Sequence, residues 1–260
     1  MPWIGVFKRE KEGSEALPIR VNLELKAGDA PKAVHRRDVI IVIDVLRCTS
    51  TIITALTNGA QAVIPAETLK EAREIRKMNP TYLLAGERRG LKPRGFDLGN
   101  SPLEFTREKV EGRHIILTTT SGTRALKRSE GARGVLVGAL LNARSAAHEA
   151  LRLAKDERLN ITLLTSGRKG EFSLEDFICA GAIAEELKRM NGTKFSDAAT
   201  AANLTYLTAK DELLNTVQGG EHAQYLTAIG LKGDVEFCCQ LNQYEAVPIY
   251  RNGIIELHEP

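Results

Sequence analysis

The sequence predicts an α/β fold of three layers, with a largely parallel sheet between two layers of helices. Continuous Val/Ile runs such as 39–43 are typical of strands buried on both faces, as in parallel sheets. These runs alternate with helix-like stretches, which indicates parallel strands joined by crossover helices. Polar clusters follow several of the runs, at the strand ends where open α/β sheets bind their ligands. The pattern therefore predicts both the fold and the position of its site.

Each predicted element rests on its local composition. The strands are predicted, in chain order, over 20–25, 39–45, 62–65, 82–85, 114–118, 135–138, 161–165, 235–239, 246–250 and 254–257. The helices are predicted over 51–58, 69–78, 123–129, 143–155 and 173–189, with more helix between 197 and 230. Gly59 marks the end of the first of these helices. Extra helices and strands are thus expected towards the C terminus.

Composition limits the class of protein. The chain has 260 residues, 43% of them hydrophobic and 27% charged, which is ample for a packed core. We expect one domain over 1–260, or two closely packed α/β halves within it. The net charge of +3 is spread along the chain, so nucleic acid is not an expected partner. The sequence does not determine whether the protein forms a homo-oligomer.

No apolar run approaches the roughly 20 residues needed to span a bilayer, so no membrane association is expected. The first residues lack the features of a signal peptide, and a cytoplasmic location is the expectation. The four cysteines form no C-x-x-C pair, which leaves zinc and thioredoxin-like sites without support. Reduced thiols are expected.

The most informative stretch runs from Asp44 to Thr51, directly after the strand over 39–43. It combines a carboxylate that could hold a metal ion, an arginine (Arg47) that could bind a phosphate, and hydroxyl groups at a helix start, where anions are favoured. Helix capping by Asp44 or Thr49 would explain one carboxylate or hydroxyl, but not the arginine as well. The stretch therefore favours a functional site.

Polar residues follow three further predicted strands in the same way. Four strand ends of this kind, which we call exits, are hard to attribute to chance. The expected metal ligands among the exit residues are Asp44, Glu87, Asp97, Glu175 and Asp176. Converging carboxylates repel one another unless a cation is bound, and Mg²⁺ is the natural candidate because it takes oxygen ligands and shares them with phosphates. The arginines that could bind an anion are Arg47, Arg88, Arg94, Arg124 and Arg168.

Structural interpretations compete with several of these assignments. Glu175 could be a first-turn acid of a helix capped by Ser173, and Asp97 could close a turn. Ser121 could be a plain N-cap. His222 is a candidate general acid, although a lone helical histidine is more often structural. Neither G-x-G-x-x-G nor a P-loop motif occurs, so dinucleotide and P-loop functions lose their main support.

Taken together, these motifs resemble those of the 2-phosphosulfolactate phosphatase family. The matching pieces are Asp44-Val45-Leu46-Arg47 with Thr49-Ser50-Thr51, Asn58-Gly59-Ala60, Ala85-Gly86-Glu87-Arg88, the octapeptide over 95–102, Thr118-Thr119-Thr120 with Gly122-Thr123, and Glu175-Asp176. The octapeptide is the most specific piece, and the resemblance extends from about 39 to about 248.

The resemblance implies a Mg²⁺-dependent phosphatase with an α/β/α fold. Its reaction would convert (R)-2-phospho-3-sulfolactate to 3-sulfolactate and phosphate, a step of coenzyme M biosynthesis in methanogens. A related phosphorylated 2-hydroxy acid is the alternative substrate. A non-catalytic anion-binding protein is the alternative of another class, and it would need the arginines but not the carboxylates.

The expected catalytic residues are Asp44, Arg47, Glu87 and Asp97. The expected substrate-binding residues are Thr49, Ser50, Thr51, Arg88, Asn100, Ser101, Thr119, Gly122, Thr123 and Arg168. The substrate expected for this set is a small, multiply anionic phosphorylated molecule.

Overall fold

A computed structural model describes residues 18–257, and its elements follow the predicted alternation of strands and helices. The strands are β1 (Ile19–Glu24), β2 (Val39–Ile43), β3 (Ala62–Ala66), β4 (Leu83–Gly86), β5 (His114–Thr118), β6 (Gly134–Gly138), β7 (Ile161–Thr165), β8 (Thr193–Phe195), β9 (Pro248–Arg251) and β10 (Ile254–Leu257). The helices are α1 (Ala30–His35), α2 (Cys48–Thr57), α3 (Leu69–Met78), α4 (Arg107–Val110), α5 (Gly122–Arg128), α6 (Ala143–Glu157), α7 (Leu174–Arg189), α8 (Asp197–Ala209), α9 (Leu213–Gln218), α10 (Glu221–Ala228) and α11 (Lys232–Cys238). The α/β class is confirmed.

The strands form one sheet in the order β4-β5-β3-β10-β9-β6-β2-β7-β1-β8. Two blocks of it, β4-β5-β3 and β6-β2-β7-β1-β8, are parallel throughout. The C-terminal hairpin β9–β10 joins them through antiparallel pairings on both of its edges. Because three successive pairings are antiparallel, the two blocks run in opposite directions along the sheet.

Helices α2 and α5 pack on one face of the sheet, against strands of both blocks. Ile52 and Leu56 of α2 lie in one buried cluster with Val42 of β2, Val63 of β3 and Ile115 of β5. One buried cluster therefore receives side chains from strands of both blocks.

The opposite face is covered mainly by α6, α7 and α8. These helices pack closely, since a Cβ atom on Gly181 of α7 would lie 2.1 Å from the carbonyl oxygen of Ala202 in α8. Only glycine permits that approach. The packing fixes α7, whose first turn carries Glu175 and Asp176.

The structure corrects one predicted strand and adds another. Residues 235–239 were expected to form a strand, but 232–238 form α11. The buried residues Val235, Cys238 and Cys239 are spaced by three and four, the period of a helix face rather than of a strand. Strand β8 was not predicted, and α2 begins three residues earlier than expected.

Candidate active site

A cleft of about 420 Å³ opens where β2, β4, β5 and β7 end. Its lining residues are Asp44, Leu46, Arg47, Glu87, Arg89, Gly90, Asn100, Thr119, Thr120, Ser121, Gly167, Arg168, Lys169, Ser173, Glu175, Asp176, His222, Tyr225 and Leu226. The structure thus brings together eight of the predicted catalytic, binding and metal-ligating residues: Asp44, Arg47, Glu87, Asn100, Thr119, Arg168, Glu175 and Asp176.

Asp44 lies at the end of β2, and its Oδ1 accepts a hydrogen bond from the amide of Cys48 at 3.2 Å. The carboxylate therefore caps α2 and also lines the cleft. Burial, together with the nearby charges of Glu87 and Glu175, raises the pKa of Asp44 to about 7 despite the opposing charge of Arg47. A buried carboxylate with such a pKa marks a functional site more often than a structural cap.

Gly122 packs directly against this carboxylate. A Cβ atom at Gly122 would lie 2.7 Å from Oδ2 of Asp44 and 2.5 Å from Cβ of Cys48. The predicted importance of Gly122 is therefore steric, because a larger residue would displace Asp44.

Glu175 and Asp176 reach the cleft from the first turn of α7. Ser173 is the N-cap of the helix, as one interpretation of the sequence expected, and accepts the amide of Asp176. Oδ1 of Asp176 accepts the amide of Val45 at 2.8 Å, which ties α7 to the end of β2. Burial raises the pKa of Asp176 well above its usual value, and the charges of Asp44 and Glu175 raise it further.

Glu87 joins the loops after β4 and β5. Its Oε1 accepts hydrogen bonds from the amide and the hydroxyl of Thr120 at 2.8 and 2.7 Å, and its Oε2 accepts the amide of Gly90 at 2.8 Å. With three donors on it, the carboxylate of Glu87 is better suited to hold these loops than to ligate a cation.

Replacing Glu87 by Gln tests this assignment. One donor would then face the amide NH₂ group of Gln, and we expect the variant to lose about 1–3 kcal/mol of unfolding free energy. Chemical denaturation measures the loss. Glu111→Gln, which removes an exposed partner of Arg107, is the matched control and should leave the unfolding free energy nearly unchanged. Equal costs for the two variants would contradict the bridging role of Glu87.

Arg47 is anchored rather than free. Its Nη1 donates to Oδ2 of Asp234 at 2.5 Å, and its Nη2 donates to the carbonyl oxygen of Gly90 at 2.7 Å. Oδ1 of Asp234 in turn accepts the hydroxyl of Ser101 at 2.6 Å. Asp234 belongs to a C-terminal run that resembles the family's, but it was not predicted as a site residue, because it lies 187 residues from Arg47 in the chain.

Two buried hydrogen-bond acceptors in residues that line the cleft have no partner among the described residues: Oδ1 of Asn100 and Nδ1 of His222. The Nε2 of His222 lies 2.9 Å from the carbonyl oxygen of Leu46, a contact that requires Nε2 to carry the proton. Burial lowers the pKa of His222, so its ring is neutral near pH 7 and Nδ1 is an acceptor. This geometry argues against the general-acid role considered for His222.

Basic side chains complete the wall of the cleft. Arg168 lies over the ring of Tyr225, 5.4 Å from its centroid, and the Tyr225 hydroxyl donates to the carbonyl oxygen of Arg89 at 2.9 Å. Arg89, Lys169 and Tyr225 were not predicted as site residues. Arg89 and Lys169 follow the predicted Arg88 and Arg168 directly in the chain, whereas only the spatial arrangement reveals Tyr225.

Asp97 is a correction to the expected site. It is not among the residues that line the cleft, and its side chain is 39% exposed. Its Oδ2 accepts the amide of Leu84 and a nitrogen of Arg76, each at 2.7 Å. Asp97 thus closes its own loop, the alternative that the sequence had left open.

The hydroxyls at the start of α2 are also bound elsewhere, to backbone carbonyl oxygens. Thr49 donates to Asp44, Ser50 to Val45 and Thr51 to Asn100, at 2.8–2.9 Å. They hold the loop instead of lining the cleft.

The remaining predicted binding residues lie behind the lining. The guanidinium of Arg88 donates to the carbonyl oxygen of Glu87 at 2.6 Å and to the hydroxyl of Thr118 at 3.0 Å. Thr123 is fully buried, and its amide donates to the hydroxyl of Thr119 at 3.1 Å. Ser101 is bound to Asp234, as described above. These residues support the site without facing its ligand.

Across 18–257, no three His, Cys, Asp or Glu side chains are arranged to hold a metal ion by themselves. Within the same range, no helix is long and apolar enough to cross a membrane. A cation in this cleft would need ligands from its substrate or from water besides those of the protein.

Comparison with known proteins gives consistent similarities. The sequence profile described as 2-phosphosulpholactate phosphatase matches residues 26–253. A probable 2-phosphosulfolactate phosphatase from Clostridium acetobutylicum is 39% identical over 91% of this chain and 100% of its own length. Proteins named in the same way from Caldanaerobacter subterraneus and Thermotoga petrophila are 41% and 42% identical, over 83% and 84% of this chain and 89% and 92% of theirs.

Proposed function

The chain belongs to the 2-phosphosulfolactate phosphatase family, and we propose that it hydrolyses (R)-2-phospho-3-sulfolactate to 3-sulfolactate and phosphate with the help of Mg²⁺. The observation that carries the proposal is the meeting of four buried carboxylates with basic side chains in one cleft. A protein that only bound an anion would not gain from carboxylates there, because they repel the ligand.

The donor groups of the cleft fit Mg²⁺. Asp44, Glu175 and Asp176 offer hard oxygen atoms, and Mg²⁺ is commonly held by one or two carboxylates together with water and substrate phosphate. The unpartnered acceptors of Asn100 and His222 suit the hydrogen-bond donors that a hydrated cation brings. When bound, the ion would neutralise charge on the phosphoryl oxygens.

The residues of the chain act mainly by positioning. Phosphoryl transfer requires little covalent chemistry from a protein, so orientation and charge stabilisation supply most of the rate. Arg89, Arg168 and Lys169 bind the phosphate oxygens through charge-assisted hydrogen bonds. Nδ1 of His222 and Oδ1 of Asn100 are the cleft acceptors without a partner among the described residues, and they are available to orient a water molecule.

Arg47 holds the loop over 44–48 in place through Asp234 and Gly90, and its charge opposes the repulsion that raises the pKa of Asp44. We assign it a positioning role. We also propose a reducing compartment such as the cytoplasm, because Cys48, Cys179, Cys238 and Cys239 are free and buried.

A related phosphorylated 2-hydroxy acid is the second candidate substrate. The relatives named above come from Clostridium, Caldanaerobacter and Thermotoga, which are not methanogens, so their names do not carry a role in coenzyme M biosynthesis. The same cleft could accept a substrate with another group at carbon 3.

Phosphate release from a panel of phosphorylated 2-hydroxy acids tests the function and its metal requirement. We expect 2-phospho-3-sulfolactate to give the highest kcat/KM, and EDTA to abolish the reaction until excess Mg²⁺ restores it. Full activity in EDTA would contradict the metal requirement. Absence of release from every phosphate ester would contradict the phosphatase.

A further inference from the structure

A second cavity, of about 480 Å³, adjoins the cleft. Its lining residues are Lys26, Ala27, Gly28, Thr120, Ser121, Arg124, Arg128, Ser166, Lys169 and Gly170. It shares Thr120, Ser121 and Lys169 with the cleft, so these residues form the boundary between the two spaces. We call this space the cationic cavity.

The charges of the two spaces differ sharply. The cleft is lined by four carboxylates and four basic residues, whereas the cationic cavity is lined by Lys26, Arg124, Arg128 and Lys169 and by no acidic residue. Among the described residues, none of these four cations forms an ion pair. All four side chains are exposed at the rim of the cavity, so an anion bound there would meet four positive charges and no negative one.

An unpaired buried hydroxyl points to the same conclusion. Ser166 lines the cationic cavity with only 1% of its surface exposed, and its Oγ has no hydrogen-bond partner among the described residues. Its backbone is fixed, since its amide donates to the carbonyl oxygen of Ile43 at 2.8 Å and its own carbonyl oxygen accepts the amide of Ala27 at 3.2 Å. Buried hydroxyls are normally paired, so an unpaired one in a ligand cavity marks a donor for the ligand.

The boundary between the spaces is firmly held. Both the amide and the hydroxyl of Thr120 donate to Oε1 of Glu87, so this residue cannot swing into either space without breaking two hydrogen bonds. A ligand that spans the boundary would therefore meet carboxylates on one side and cations on the other.

We propose that the cationic cavity binds the sulfonate of the substrate while its phosphoryl group lies in the cleft. This inference rests on the proposed function and adds a specificity site to it. A second anionic group held beside the carboxylates of the cleft would be repelled, whereas across the boundary it meets only cations and hydroxyls. A sulfonate has three oxygen atoms and a permanent charge, which suits cations that converge from several elements.

The double variant Arg124→Gln/Arg128→Gln tests the proposal. Neither residue lines the cleft. We expect kcat/KM for 2-phospho-3-sulfolactate to fall about 10- to 100-fold through the loss of charge-assisted contacts. The value for 2-phospholactate, which lacks the sulfonate, should change by less than about threefold on the same reasoning. Arg124→Lys/Arg128→Lys should recover much of the loss, and Arg107→Gln on α4 is the control for an arginine outside the cavity.

Calorimetric binding of 3-sulfolactate gives a readout that is independent of turnover. Its Kd should rise about tenfold or more in the double Gln variant. An equal loss with both substrates, or unchanged binding of 3-sulfolactate, would overturn the cavity proposal even if the enzyme is active. Weakened binding in a protein that releases no phosphate from either ester would support the cavity and overturn the proposed function instead.

Discussion

Asp44→Asn should lower phosphate release about 1000-fold or more, a cost of about 4 kcal/mol in transition-state stabilisation, while the fold stays intact. The reason is the loss of a negative charge that, in our proposal, ligates Mg²⁺. Oδ1 of Asn can still accept the amide of Cys48, so the start of α2 keeps its cap. Initial rates with saturating Mg²⁺ and a far-UV circular dichroism spectrum measure the two effects.

The matched control is Asp97→Asn. Asp97 belongs to the same group of predicted acids, but it lies outside the cleft and is bound to Leu84 and Arg76. We expect it to keep activity within about threefold, because only a partly exposed ion pair is weakened. Near-normal activity of Asp44→Asn, or an equal loss in both variants, would refute the assigned role of Asp44.

Asp44→Asn should also make the unfolding free energy of the metal-free protein less sensitive to pH. The folded pKa of Asp44, about 7, lies above its unfolded value near 3.9, so the folded state binds the proton more tightly. Its contribution to stability is complete below about pH 4 and is lost as the pH rises through about 7. In EDTA, the unfolding free energy of the wild type should therefore fall between these values by roughly 2–4 kcal/mol more than that of Asp44→Asn. Urea titrations at pH 4.5 and 7.5 provide the comparison, and parallel slopes for the two proteins would contradict the buried, proton-binding carboxylate.

Asp234→Leu should destabilise the protein by about 3–5 kcal/mol, because it leaves the guanidinium of Arg47 buried without its counter-charge. Arg47 is only 3% exposed and Asp234 is equally enclosed, so water cannot replace the lost partner. The urea midpoint at an unchanged m-value measures this loss.

Two further variants identify its cause. Ser101→Ala removes the other partner of Asp234 and should cost only about 1 kcal/mol. Arg47→Met combined with Asp234→Leu removes both charges and should be more stable than Asp234→Leu alone. If the double variant is the less stable of the two, the unpaired charge is not the reason for the loss.

Local patterns in the sequence correctly predict much of the fold. The strands over 114–118 and 161–165 and the helix over 69–78 match the structure to the residue, because long apolar runs and regular spacing are properties of neighbouring residues. The prediction of a strand over 235–239 fails for the same reason, since a short apolar run is compatible with either period. The folded chain buries Val235, Cys238 and Cys239 together on one face of a helix.

For the candidate site too, the sequence predicts one part and the tertiary structure decides the other. The sequence identifies the polar residues at the strand ends, but not which of them face the cleft. Asp97 and Asp44 are both acids that follow predicted strands, yet the first is held by Arg76 and the second lies among other carboxylates. Asp234, the partner of Arg47, lies 187 residues away in the chain.

The sequence by itself determined the α/β class, the order of most elements and the chemistry at the ends of β2, β4, β5 and β7. Tertiary structure alone decided that the C-terminal hairpin β9–β10 joins two oppositely directed blocks, and that strand ends from both blocks line one cleft. The physical reason is that periodicity and capping act over a few residues, whereas burial, charge pairing and the direction of a side chain depend on elements that meet only after the chain has folded.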